Sequence, residues 1–125
     1  MSEKIKFHPE HAWAREEGDL VVIGISDFAQ RQLSDVTFVD VPETGVRLEA
    51  GVVFGSVESA KALNDLFAPL SGEVVEVNPD MEEIPYVVNE SPYDKGWMVK
   101  IRPSNPAEWD SLMTREDYEA NHTEA

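Results

Sequence analysis

The sequence predicts a mainly β protein, a compact sandwich or barrel with short helices near its ends. Three observations predict this. Apolar, β-branched runs are short and recur along the chain, as in LVVIGI, VTFVDV, GVVFGSV and EVVEV. Turn-forming residues separate them at close intervals, at PETG, PLSG and Asn78-Pro79. Helical spacing is confined to brief stretches, SDFAQRQL and PAEWDSLM. Many short strands with frequent turns favour two packed sheets or a closed one.

Taken in order, the segment through His11 reads as extended and polar, and Trp13 begins or caps the first sheet. Residues 20–25 form a continuous apolar run, the pattern of a strand buried on both faces. Ser26 offers a helix N-cap with Asp27 in the positive first turn. The helix that follows turns Phe28 and Leu33 inward. Residues 36–41 alternate, which puts Val36, Phe38 and Asp40 on one face and Thr37, Val39 and Val41 on the other; Pro42 ends the strand. Residues 51–57 are a further strand, the tip around Lys61 follows, and extended structure resumes at 66–68. Residues 73–77 alternate as EVVEV. Pro79, Pro85 and Pro92 mark 80–95 as loop, with one extended piece at 86–88. Residues 97–101 close the sheet. Ser104 or Asn105 then caps a helix that starts at Pro106, with Trp109, Leu112 and Met113 at helical spacing. Thr114 with Asp117 makes a near capping box for a final helix bearing Tyr118. Residues 121–125 should fray.

The chain has 125 residues, 42% of them hydrophobic, which suits one domain over residues 1–125 with a modest core. Its formal net charge is −15. Nucleic-acid backbones and anionic membranes would repel such a surface, while basic protein surfaces would be drawn to it. There is no cysteine, so disulfides, thiolate metal sites and cysteine nucleophiles are excluded. MSEKIKFHPEHAW lacks the apolar run of a secretory signal, and no stretch approaches the ~20 apolar residues of a membrane span. A monomeric cytoplasmic protein is expected, with transient interfaces on its acidic surface.

Lys61 stands out. It is the only cation between Arg47 and Lys95, in a stretch with ten acidic residues. Small neighbours, Ala60 and Ala62, leave room for an enzyme to grasp it. On the lysine alone, a solvated turn residue is the simpler account. Other candidates are weaker. His8 and His11 form HPEH without a strong third ligand and read as surface histidines. No nucleophile elbow or glycine-rich phosphate loop is present. Trp13, Trp97, Trp109 and Phe67 read as core or rim packing, and the glycines at 55, 72 and 96 as turns or close backbone approaches.

The segment GSVESAKALNDLFAPLSGEVVEVN resembles the lipoyl-attachment segment of the glycine cleavage system H protein family. The matching residues are Glu58, Ser59, Lys61, Ala62, Asp65, Ala68, Pro69, Ser71, Gly72, Glu73 and Val74. GISDFAQRQL, FVDVPETG and VNESPYDKGWMVKI extend the likeness over about residues 7–120. The resemblance implies a mainly β, lipoyl/biotinyl-like barrel-sandwich hybrid with short helices, including a C-terminal helical segment. It implies a carrier rather than an enzyme. Lipoate would be attached covalently to Lys61, with Glu58 and Asp65 as acceptor or arm surroundings; a solvated acidic edge is the alternative for those two. The cofactor would bring the sulfur that the chain lacks. Biotin carriers typically flank their lysine with methionines, and Ala-Lys-Ala fits lipoate better.

Two kinds of system use such carriers. In glycine cleavage the partners are a lipoate-attaching enzyme, the decarboxylase, the aminomethyltransferase and dihydrolipoyl dehydrogenase, and the cargo is aminomethyl and electrons. H-like lipoate-binding proteins instead serve a heterodisulfide-reductase-like complex of sulfur oxidation. Here Ala12 stands where the family usually has glutamate, a residue associated with holding the aminomethyl arm. Either Glu10 or Glu16 compensates, or the cargo is sulfur. Ser34 likewise replaces the glycine common after the first helix. A third reading is an unlipoylated interaction module.

Overall fold

A computed structural model describes residues 5–8, 10–105, 107–114 and 116–118. The strands β1 (Ile5–Phe7), β2 (Ala12–Glu17) and β3 (Leu20–Ile25) form an antiparallel meander. The first helix, α1 (Asp27–Leu33), leads into β4 (Val36–Asp40), β5 (Arg47–Leu48), β6 (Val53–Ser59), β7 (Leu63–Phe67) and β8 (Gly72–Val77). Two single-turn helices, α2 (Asp80–Glu83) and α3 (Val87–Glu90), precede β9 (Val99–Pro103). The last elements are α4 (Ala107–Asp110) and β10 (Met113–Thr114). One sheet runs β10-β1-β2-β3-β9-β8-β5 and the other β4-β6-β7. This is the mainly β, two-sheet architecture with short helices that the sequence predicts.

The apolar run at 20–25 is buried on both faces, as its composition demands. Val21 and Ile23 enter a core cluster with Val74, Val99 and Ile101, while Val22 packs with Phe7, Trp13 and Tyr118 on the other side. A further cluster lies under the small sheet, where Val39, Val57 and Leu66 meet Leu33 of α1, Met81 of α2 and Val87 and Val88 of α3. Val41 and Phe54 border both this cluster and that of Val21 and Ile23, and so join them.

Ser26 caps α1 as expected; its Oγ accepts from Ala29 N at 3.1 Å. Asn105 Oδ1 accepts from Ala107 N, and Thr114 Oγ1 from Asp117 N, so both C-terminal caps form. Gly55, Gly72 and Gly96 stand where the backbones of Asp40, Arg102 and Ser91 pass close.

Four expectations are corrected. Glu10 and His11 lie in a turn before β2, where His8 N–H donates to Ala12 O at 2.8 Å and His11 N–H to His8 O at 2.9 Å, and are not extended. The simple alternation of 36–41 fails because a register shift between Val36 and Phe38 buries Val36 and Val39 and leaves Phe38 53% exposed. Residues 86–88 belong to a helical turn. Pro79 and Pro85 stand at the starts of α2 and α3, where a missing N–H costs nothing, and Met81, Val87 and Val88 cover the small sheet. Met113 is a strand residue paired with Phe7, because the open edge of β1 captures the chain after α4. The strand ends also move: β7 begins at Leu63 and β9 at Val99. The expected helix start at Pro106 and the fraying at 121–125 lie outside the described residues.

Ser34 occupies the C-cap of α1 at φ 69° and ψ −151°, a conformation suited to glycine. Its N–H still donates to Gln30 O and its carbonyl accepts from Asn89 Nδ2 at 2.7 Å, so the surroundings enforce the strained backbone. Ser34→Gly is expected to stabilise the fold by about 1 kcal/mol in chemical denaturation, since relief of roughly 1–3 kcal/mol of strain exceeds glycine's entropy cost. A lower midpoint than wild type would refute this.

Candidate functional site

β6 and β7 pair in antiparallel register, Ser56 with Asp65 and Glu58 with Leu63, and Lys61 sits exposed at the hairpin tip. The tip is built by Ser59. Its N–H donates to Ala62 O at 2.8 Å, and its hydroxyl accepts from the amides of Lys61 and Ala62, each at 3.1 Å. Ala60 N–H reaches Asp35 O at 3.2 Å, which ties the tip to the link between α1 and β4.

Next to this hairpin lies a cleft of about 810 Å³. Leu63 and Asp65 of β7 form one wall, Phe28 and Gln32 of α1 another, and Glu10 and His11 of the β1–β2 turn a third. The structure therefore separates the two acids singled out from the sequence. Asp65 lines the cleft; Glu58 is exposed on β6 and does not. Ala12 is only 3% exposed and lies outside the lining, as does Glu16. Among the described residues that line the cleft, Glu10 and Asp65 are the carboxylates, and none is a lysine or arginine.

The sequence reading missed His11 as a wall residue. Its backbone has φ 83°, its ring faces Phe28 at 5.3 Å, and its Nδ1 lies 2.6 Å from the Tyr118 hydroxyl. That hydroxyl lies 2.7 Å from Ser26 Oγ, the cap of α1. Burial pushes the Tyr118 phenol up, against its hydrogen bond with Ser26, which acts the other way. No local signal links positions so far apart in the chain. His8, half-buried, has its pKa lowered by burial, against the nearby Glu10 charge. Its Nδ1 accepts from Glu10 N at 3.0 Å, so neutral His8 helps to set the turn that carries Glu10. Both histidines are thus packed into the turn region and are not free surface groups. Among the described residues no group of three or more potential ligands could hold a metal ion. No helix among them is long and apolar enough to cross a membrane.

A second groove, about 540 Å³, runs between β4 and α2; Phe38, Pro42 and Met81 line it together with Asp40, Glu43 and Glu82.

The two sheets, the short helices and the exposed hairpin lysine beside a cleft define a lipoyl-domain-like fold. Sequence comparison takes this further: the profile of the Glycine cleavage H-protein family matches residues 5–125. The chain belongs to that family. It is 50% identical over 118 residues to the glycine cleavage system H protein of Bacteroides fragilis, covering 94% of each chain. It is 51% identical over 119 residues to that of Anoxybacillus flavithermus, covering 95% of this chain and 94% of the other. The crystal structure of a glycine cleavage system H protein from Mycobacterium marinum superposes with a TM-score of 0.85 at 32% identity, over 97% of this chain and 98% of that one. Proteins of this family carry lipoate, and membership supports the role of a carrier component rather than of a catalyst.

Proposed function

We propose that Lys61 bears lipoate in amide linkage, and that the chain carries an aminomethyl group and electrons between the enzymes of glycine cleavage. In this reading the chain acts as one carrier domain in the cytoplasm. The observation that carries the proposal is the exposed Lys61 on a braced hairpin, beside a cleft lined by the carboxylates of Glu10 and Asp65. Ala60 and Ala62 present no bulk around the acceptor amine. When bound, lipoate supplies a dithiolane whose sulfurs accept electrons and a group and then return to the disulfide.

The chain's own residues would hold the arm and its cargo. Leu63, Phe28 and Ile25 offer apolar cover to a hydrocarbon arm. Glu10 and Asp65 offer carboxylates to a protonated amine. Glu10 would thus take up the role expected of the glutamate that Ala12 replaces; Glu16 is not among the lining residues. A cleft whose described lining has two carboxylates and no lysine or arginine suits a cationic cargo better than an anionic sulfur species. The observation favouring sulfur carriage is Ala12 itself, buried and without a charge. Partners, whether the lipoate-attaching enzyme, the decarboxylase, the aminomethyltransferase or the dehydrogenase, would read the acidic surface with basic surfaces of their own.

Intact mass tests the reading in two stages. After incubation with a lipoate ligase, lipoate and ATP, the chain should gain one lipoyl group; no gain would leave an unlipoylated interaction module. With the decarboxylase and glycine, the lipoylated protein should then gain one aminomethyl group. Glu10→Gln with Asp65→Asn should shorten the lifetime of that adduct roughly tenfold, the scale of one lost charge-assisted hydrogen bond. Failure to load aminomethyl, together with function alongside a heterodisulfide-reductase-like complex, would overturn the cargo in favour of sulfur.

A further inference from the structure

We infer that Ser59 is the positioning residue for modification of Lys61, holding the acceptor in one backbone conformation before the modifying enzyme arrives. The inference rests on the reading of Lys61 as the lipoyl acceptor. Ser59 is a buried polar residue at 9% exposure, in a tip whose other residues, 60–62, are exposed. Its hydroxyl is fully used within the turn. It accepts from Lys61 N and Ala62 N, each at 3.1 Å, and donates to Ala62 O at 3.2 Å. The β6–β7 pairing holds the hairpin up to Glu58 and Leu63, so the ladder needs no help from this hydroxyl. What the hydroxyl adds is order beyond the last ladder pair, at the residue that must react.

That order has a chemical use. Lys61 Nζ, once deprotonated to solvent, attacks the acyl carbon of a lipoyl adenylate made from lipoate and ATP. The amide bond forms, the acyl–oxygen bond breaks, and AMP leaves with its electron pair. A long flexible side chain reaches the acyl carbon from many directions, so the enzyme needs its Cα and stem placed. Each backbone residue already fixed removes an ordering cost from the encounter. The hydroxyl fixes two amides at once, those of the acceptor and of the residue after it. Without it both amides turn to water and the tip samples other conformations, while the strands below stay paired.

The test uses the whole chain with a lipoate ligase, lipoate and ATP, followed by intact mass at varied protein concentration. Ser59→Ala should raise KM for the carrier about tenfold with kcat little changed, the pattern of lost preorganisation. Ser59→Thr, which keeps the hydroxyl, should restore KM. Amide hydrogen exchange at Lys61 and Ala62 should quicken in Ser59→Ala and not in Ser59→Thr, whereas exchange in the β6–β7 ladder should be unmoved. Wild-type kinetics in Ser59→Ala, with wild type taking one lipoyl group, would overturn the inference and leave Lys61 as acceptor. So would a loss that threonine fails to restore and that tracks a fall in Tm, since Ser59 would then only stabilise the hairpin. No lipoyl gain in wild type would remove the inference together with the reading beneath it.

Discussion

Lys61→Arg is expected to abolish lipoylation completely while leaving the fold intact. Arginine keeps the positive charge and much of the stem, but its guanidinium stays protonated and offers no nucleophilic lone pair for acyl transfer. Lys61 is exposed at the tip, so the cost to stability should stay within about 0.5 kcal/mol, the range of an ordinary surface substitution. Other described lysines remain as internal controls. Lys100 is engaged, with Glu17 at 2.8 Å and the Trp97 ring at 5.1 Å, and Lys6 lies over the Trp109 ring at 5.3 Å. Intact mass before and after ligase treatment reads the result. A lipoyl gain that persists in Lys61→Arg would place the acceptor elsewhere and end the hairpin reading.

Trp13→Ala should be the most damaging single substitution to the fold. The indole is fully buried and packs with Phe7, Val22 and Tyr118. Its ring lies directly over Gly24, the residue paired with it across β2 and β3; a Cβ there would meet the indole at 2.7 Å. Its Nε1 donates to Pro92 O at 2.9 Å, pinning the 91–96 segment to the sheet. Truncation removes that packing, leaves a cavity and frees a carbonyl, for roughly 3–5 kcal/mol. Domains of this size have about 5–15 kcal/mol in total, so Tm should fall by roughly 10–20 °C. Calorimetry checks it, and a fall under about 3 °C would show that the pocket collapses around the gap. Because Phe7 and Tyr118 share this cluster and Tyr118 holds His11, the cleft wall should loosen as well.

Much of the architecture could be read from local pattern. The both-face burial of 20–25, the cap at Ser26 and the caps at Asn105 and Thr114 are nearest-neighbour physics. What went wrong at 36–41 was a bulge, invisible to period counting because one extra residue in a pairing leaves no mark on composition. Residues 80–90 misled for a different reason. Prolines read as breakers in sequence, but at the first turn of a helix a proline is compatible, and buried Met81 and Val88 supply the packing that holds so short a turn.

For the candidate site, the sequence by itself determined the family, the lysine and the small residues around it, because these lie within one contiguous hairpin. It left the choice between Glu10 and Glu16 open, and it treated Glu58 and Asp65 alike. Only the tertiary structure decided that Glu10 and Asp65 share a cleft, that Glu58 lies outside it, and that His11 is held there by Tyr118 across a separation of 107 residues. The physical reason is that a cleft is made by packing. Its walls come from a turn, a helix and a strand that meet only when three hydrophobic clusters close, and no periodicity within any one of those segments records the meeting.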